Sequence, residues 1–128
     1  MKIQRVQAYA LNVPIDFAIG GIRRETQLSA CYVEVETDDG IIGHGLTAIT
    51  EEEVIAGIIN EVAGPALIGD GPLRHGAAWE KLDWLVAPRG QHRPDVIVAK
   101  QTVCRALHHH HVLGMRADAA ADAEHRLD

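Results

Sequence analysis

The densest chemistry in this sequence is a run of four consecutive histidines, His108–His111. If the run is helical, Cys104, His108 and His111 share one face at positions i, i+4 and i+7. A thiolate and two imidazoles are ligands that zinc and nickel accept. A built site also needs a fourth ligand and orienting partners, and the neighbouring sequence supplies no clear one. Two interpretations stay open: a metal triad, and a run with only adventitious metal affinity.

The other reactive groups have structural explanations. Glu51–Glu53 suit the first turn of a helix, where negative charge complements the helix dipole. Cys31 falls on the apolar side of a predicted strand, where a free cysteine acts as a small hydrophobic residue. Gly43–Gly45 is a lone G-x-G inside strand sequence rather than a phosphate loop. Since no nucleophile elbow or Ser-His-Asp spacing occurs either, we predict no catalytic residue in this chain.

Length and composition narrow the class of protein. The chain has 128 residues, one domain's worth, and its formal net charge of −6 argues against a nucleic-acid surface. The N-terminus lacks a signal-peptide pattern, and no apolar run approaches the roughly 20 residues that span a bilayer. Cys31 and Cys104 lie far apart, with no spacing that implies a disulfide framework. We therefore expect a cytoplasmic protein without nucleic-acid or membrane partners.

Three strands are predicted first, over residues 2–12, 27–37 and 41–46. The middle one alternates apolar and polar residues, which is typical of a sheet with one wet face. Asp38–Gly40 supplies a tight turn between the last two strands, so consecutive strands pair antiparallel. The sequence thus predicts a three-stranded antiparallel meander.

Two or three helices follow. Thr50 can cap a first helix that Gly64-Pro65 ends, and a second helix runs from Asp70 to Pro88 with Trp79, Leu82 and Val86 on one side. A third is predicted over residues 95–113, and the polar, Ala-rich sequence after Gly114 is expected to fray. Its apolar stripe consists of Val96, Ala99, Val103, Ala106 and Leu107. The predicted fold class is therefore α+β, a meander followed by a small helical bundle.

Residues 13–25 are predicted as a loop, since Pro14, Gly20 and Gly21 interrupt the strand pattern. Loops normally face water, yet this one carries Phe17, Ile19 and Ile22. Either it folds back on its own domain or it covers another surface.

Four segments, in this order and spacing, carry a resemblance to a known family. They are Met1–Ile3, the hairpin V-E-V-E-T-D-D-G-I-I-G-H-G at residues 33–45, P-A-L-I-G-D at 65–70 and A-P-R-G-Q at 87–91. Residues 1–91 resemble the N-terminal capping domain of the mandelate racemase and muconate-lactonizing enzymes of the enolase superfamily. The first and last segments most resemble acid-sugar dehydratases of the talarate and galactarate type.

The resemblance implies where chemistry takes place in such enzymes. Carboxylates of a following eight-stranded α/β barrel bind Mg²⁺, and Lys or His bases remove the proton next to a substrate carboxylate. The metal stabilises the enediolate that forms. The capping domain supplies specificity, through loops that close over the barrel mouth around a small carboxylate or acid sugar.

Carried over to this sequence, the two loops are residues 15–24 and 44–49. The substrate-covering residues that the resemblance implies are Phe17, Ile19, Ile22, Arg23, Arg24, His44 and Leu46. Their apolar members would exclude water from a site on another domain. Arg23 and Arg24 would pair with a distal carboxylate of a diacid sugar, or else be solvated charges. His44 would contact substrate, or else be a strand histidine at a domain seam.

After Gln91 the sequence departs from the family pattern, and no barrel, Lys-x-Lys bases or magnesium carboxylates follow. We therefore divide the chain into a capping domain, 1–91, and a divergent helical tail, 92–128. We expect a truncated or frameshifted copy that is inactive alone, holds no cofactor and self-associates through surface meant for its missing barrel. The alternative is a free-standing interaction module that uses the apolar loop and the His-rich tail.

Overall fold

A computed structural model describes residues 1–47, 51–86, 88 and 93–125. Three strands form one antiparallel sheet in the order β1-β2-β3. Their bounds are Ile3–Ile19 for β1, Ile22–Thr37 for β2 and Ile42–Leu46 for β3. The predicted meander is confirmed, with β1 and β2 far longer than expected.

The predicted loop at residues 13–25 is wrong: this segment is the far half of a β1–β2 hairpin. Pro14 pairs with Gln27 in the ladder, and β1 tolerates it because β1 is an edge strand. Gly20 and Gly21 form the hairpin turn, with φ of 59° and 80°. A two-residue turn of this type needs positive φ at both positions, which glycine adopts without strain. The glycines therefore connect the strands rather than interrupt them.

The first helical region is longer than its sequence signals indicated. It comprises α1 (Glu52–Ile58), a π-helical turn (Ile59–Ala63) and α2 (Gly64–Leu67). Gly64-Pro65 does not end it, since a proline in the first turn of α2 loses no helical hydrogen bond. The predicted capping residue, Thr50, lies outside the described residues. Asn60 in the π turn makes two hydrogen bonds to the backbone of Ala8, of 2.8 and 3.0 Å, and so covers part of the β1 edge.

The last two helices are α3 (His75–Val86) and α4 (Pro94–His125). α3 begins five residues after the predicted Asp70, because Gly69 and Asp70 instead hydrogen-bond to Ile3 of β1. Its buried side combines Ala78 with the predicted Leu82 and Val86, and the predicted Trp79 borders this side, 37% exposed. α4 continues through the segment that we expected to fray, as an exposed Ala-rich helix. Alanine has the highest helix propensity, which favours this continuation.

One core joins the sheet to all the helices. All five predicted apolar positions of α4 are buried, and so is Cys31, as predicted. The core consists of Ile3, Ala8, Cys31, Val33, Val35, Ile55, Ala56, Ile59, Ala63, Leu67, Ala78, Leu82, Ala99, Val103, Ala106 and Leu107. α4 lies directly on β3, because a Cβ added at Gly43 would stand 2.1 Å from the carbonyl oxygen of Ala106. The first half of α4 therefore packs into the same core as residues 1–86.

Candidate functional site

The far half of the β1–β2 hairpin projects beyond β3, which pairs only with residues 32–36 of β2. Side chains alternate between the faces of a strand, and directly paired residues share a face. One face of the projection is therefore apolar, and Ile19 and Ile22 on it are 70% and 69% exposed. We call this surface the apolar ribbon face; it comprises Leu11, Val13, Phe17, Ile19, Ile22 and Leu28. Three predicted substrate-covering residues, Phe17, Ile19 and Ile22, lie together on it.

The two adjacent arginines lie on opposite faces of the hairpin. Arg24 pairs across the ladder with Phe17, so it belongs to the same side as the apolar ribbon face. Arg23 pairs with Ala18 on the other side, where its Nε lies 3.5 Å from a carboxylate oxygen of Asp16. Arg24 has no ion-pair partner among the residues that the structure describes. The structure thus does not bring both guanidinium groups onto one ligand.

His44 lies near the base of the projection, on the same side of the sheet as the apolar ribbon face. Its ring stacks on Tyr32 at 5.5 Å, and its Nδ1 contacts the Tyr32 hydroxyl. Its backbone N–H donates to Nδ1 of His109 in α4, over 3.0 Å. Leu46 pairs with Tyr32 across the ladder and is exposed, so it extends the apolar surface next to His44. Residues 48–50, which include the rest of the predicted second loop, lie outside the described residues.

A charged network holds this part of the sheet in place. Arg5 donates to Glu36 over 2.8 Å and to Glu34 over 3.0 Å. These two carboxylates raise the pKa of the Arg5 guanidinium further above its usual range. The Tyr32 hydroxyl donates to Glu34 over 3.2 Å, and burial, followed by that carboxylate, raises the pKa of Tyr32. His44 thus lies beside a preorganised cluster of ionisable groups.

The histidine run divides between three surroundings. His109 turns toward His44, and His110 is fully buried with its Nε2 2.8 Å from Oγ1 of Thr37. His108 and His111 instead face His75, at the start of α3, with ring centroids 5.8 and 5.9 Å apart. Cys104 is half-buried and lines a shallow groove with Trp79 and His108. In the described ranges, no group of three His, Cys, Asp or Glu side chains is positioned to hold a metal ion. The predicted set of Cys104, His108 and His111 is therefore not assembled as a metal site.

Burial controls the ionisation of the polar contact between α4 and the β2–β3 turn. Desolvation lowers the pKa of His110, which Asp39 partly opposes. Thr37 donates to the Asp39 carboxylate, and this hydrogen bond lowers the pKa of Asp39. His110 is therefore a neutral core residue rather than a reactive one.

Sequence reasoning missed Tyr32 and His75 as possible functional residues. Tyr32 had a signal, because it alternates with Glu34 and Glu36 on the wet side of β2. His75 had none, since its proximity to His108 and His111 depends on how α3 packs against α4.

Among the described helices, none is long and apolar enough to span a membrane.

This sheet and its helices match a known domain. The chain matches the family described as mandelate racemase / muconate lactonizing enzyme, N-terminal domain, over residues 2–119. The chain belongs to this family. The matched range continues past Gln91 and includes most of α4. A comparison with curated proteins gave no match.

Solved structures agree with this assignment. A provisionally named mandelate racemase from Bordetella bronchiseptica RB50 is 31% identical, with a TM-score of 0.71, over 83% of this chain and 28% of its own. The N-succinyl Arg/Lys racemase from Bacillus cereus ATCC 14579 is 26% identical, with a TM-score of 0.64, over 84% and 29%. A racemase from Streptomyces coelicolor A3(2), solved with bound magnesium, shares the fold at 19% identity, with a TM-score of 0.71 over 82% and 30%. The chain therefore spans about 30% of the length of these relatives.

Proposed function

We propose that this chain is the substrate-specificity cap of a magnesium-dependent enzyme that dehydrates or racemises acid sugars, and that it supplies no catalytic residue itself. Family membership and the short share of its relatives that it spans support this assignment. The Mg²⁺ and the proton-removing bases then belong to a barrel domain, which in the family follows the cap in the same chain. The free cysteines, Cys31 and Cys104, suit the reducing cytoplasm.

The observation that carries the proposal is the apolar ribbon face. Two-stranded hairpins are marginally stable in water by themselves, and this one also exposes Phe17, Ile19 and Ile22 at its tip. Fully burying one such side chain is worth about 1.5–3 kcal/mol. A partner surface that covers three of them would therefore both fix the ribbon and be closed off from water by it.

Arg24 gives the cap a chemical preference. It lies on the side of the apolar ribbon face and, within the described ranges, has no ion-pair partner. A guanidinium forms paired hydrogen bonds with a carboxylate, and such bonds strengthen where water is excluded. We assign Arg24, rather than the Asp16-paired Arg23, to the distal carboxylate of the substrate. His44 and Leu46 would line the same surface nearer the sheet.

The purified chain tests the first part of the proposal. We expect no Mg²⁺-dependent dehydration or racemisation of a panel of acid sugars, because the bases and metal ligands lie elsewhere. Turnover by the pure chain would contradict the cap assignment.

A chimera tests the specificity role. Residues 2–119 replace the matching part of the Bacillus cereus racemase, and the substrate range of the chimera is measured. We expect a preference shifted from N-succinyl amino acids, which already carry two carboxylates, toward acid sugars with two carboxylates. Arg24→Ala should raise KM for these by about tenfold, the loss of one charge-assisted pair, whereas the matched Arg23→Ala should change it little. An unchanged substrate range, or equal effects of the two variants, would favour a free-standing interaction module.

A further inference from the structure

Three imidazoles from two helices meet on the side of the domain where α3 packs against α4. His75 is the first residue of α3, and His108 and His111 lie one turn apart on α4. The His75 ring centroid is 5.8 Å from that of His108 and 5.9 Å from that of His111, each pair close to edge-on. Residues at i and i+3 share a helix face, so both α4 rings present themselves to His75.

Two nitrogens of this group are buried without a partner. Nε2 of His75 and Nδ1 of His111 are inaccessible to water and form no hydrogen bond. An unsatisfied buried polar group costs about 1–3 kcal/mol. Such atoms are uncommon in native structures, and an ion or a water is one of the explanations they require. The two orphan nitrogens belong to rings in contact with each other, which points to one shared ligand.

The rest of the run is engaged elsewhere. His109 accepts the backbone N–H of His44, and His110 contacts Thr37 through Nε2 in the core, where its own Nδ1 also lacks a hydrogen-bond partner. The run is therefore not a uniform polyhistidine surface: two of its rings hold α4 to the sheet, and the other two face α3.

We propose that His75, His108 and His111 bind a divalent transition-metal ion, with zinc as the best fit and water in the fourth position. Imidazole suits zinc, nickel and copper, whereas magnesium prefers oxygen ligands, so this site is separate from the magnesium chemistry of the family. Two imidazoles on one tetrahedral zinc place their centroids roughly 5 Å apart, given Zn–N bonds of about 2.0–2.1 Å. The present separations are slightly larger, and the three donors are not yet in ligating positions in the described part of the chain.

The rings have to turn to close that difference. The terminal torsion of histidine is broad, so such a rotation is available to each ring. His108 is exposed, which gives the ion an entry path. The bound ion would join the start of α3 to the middle of α4 and satisfy both orphan nitrogens, so it should raise the stability of the domain.

Zinc titration of the full chain, made without an affinity tag, tests this proposal. Competition with a chromophoric chelator gives Kd, and cobalt substitution reports a tetrahedral site through its visible absorption. We expect one site, a rise in Tm on adding zinc, and a Kd weakened at least tenfold by His75→Gln, as expected for loss of one of three ligands. The matched variant His109→Gln should retain the site.

His75 decides the outcome, because it lies 33 residues before the run. If His75→Gln binds zinc as tightly as the unaltered chain, binding belongs to the run alone and the proposal is wrong. His108→Gln, at an exposed position, supplies a second test that leaves the core intact. Loss of zinc binding in both variants, with far-UV circular dichroism unchanged, supports the three-histidine site.

Discussion

Replacing Gly43 with alanine is the sharpest test of how this domain is packed. The new Cβ would stand 2.1 Å from the carbonyl oxygen of Ala106 and 2.7 Å from Cβ of His110. Both atoms belong to the body of α4, so no flexible side chain can move aside. To lengthen the first separation from 2.1 Å to 3.4 Å, the short end of ordinary contact, α4 has to retreat from β3 by about 1.3 Å.

The expected loss in free energy of unfolding follows from that movement of α4. Overpacking a core typically costs about 1–3 kcal/mol, and occasionally more. We expect the upper end, about 3 kcal/mol, because the clash is with backbone and because α4 carries buried residues along its contact with the sheet. With a urea m-value of about 1–3 kcal/mol/M, the unfolding midpoint should fall by about 1–3 M.

Gly57→Ala is the matched control, since it makes the same chemical change in α1. An added Cβ there has nothing within 4 Å, so helix propensity decides the sign. We expect stabilisation by about 0.5–1 kcal/mol. Urea unfolding followed by circular dichroism measures both variants. A Gly43→Ala midpoint equal to that of the unaltered chain would refute the direct packing of α4 on β3.

Three further predictions concern the turn, the buried histidine and the buried thiol. Gly20→Ala should destabilise the domain by about 1–2 kcal/mol, because alanine disfavours the positive φ at this position. The control Gly76→Ala should not destabilise it, since φ there is not positive and an added Cβ has nothing within 4 Å. Urea unfolding compares the two variants. Folding lowers the pKa of His110. The free energy of unfolding should therefore be full above pH 6.5 and fall as the pH drops from there toward the folded-state pKa, because the unfolded chain binds the extra proton. A series of thermal unfolding curves in which Tm depends on pH equally in His110→Asn would contradict this. Burial raises the pKa of Cys31 to about 11. In a Cys104→Ser background, a thiol reagent at pH 8 should therefore modify Cys31 only after unfolding. Rapid modification of the folded variant would show that β2 is not covered.

Much of the fold was predictable because its signals are local. Alternation in residues 27–37, the Asp38–Gly40 turn and the apolar stripe of α4 each follow from periodicity or turn chemistry. The core face of α4 was predicted residue by residue, since a buried helix must repeat its apolar positions every three to four residues.

The errors came from features whose meaning depends on tertiary context. Pro14 and Gly20-Gly21 look like breaks, but on an edge strand and in a tight hairpin turn the same residues are compatible with strands. Likewise, a proline ends a helix when its missing N–H breaks a helical hydrogen bond. Pro65 lies in the first turn of α2, after the π turn, and loses no such bond there.

For the candidate site, too, local features were predictable from the sequence and tertiary contacts were not. That residues 15–24 carry apolar side chains was evident from the sequence, but their exposure and the separation of Arg23 from Arg24 needed the strand register. The meeting of His75 with His108 and His111 depends on the packing of two helices and has no signal in either one. The division of the chain at Gln91 stays a prediction about its coding sequence, which the DNA downstream of that codon would test.

Labelling the ribbon tests the central claim most directly. A polarity-sensitive dye is attached at Phe17→Cys, on the apolar ribbon face, or at Gln27→Cys, on the opposite face, in a Cys104→Ser background. Emission is then compared between the chain alone and the chimera with the barrel. The cap assignment predicts a blue shift at position 17 and little change at position 27. Emission at position 17 that stays as water-exposed in the chimera as in the chain alone would contradict it.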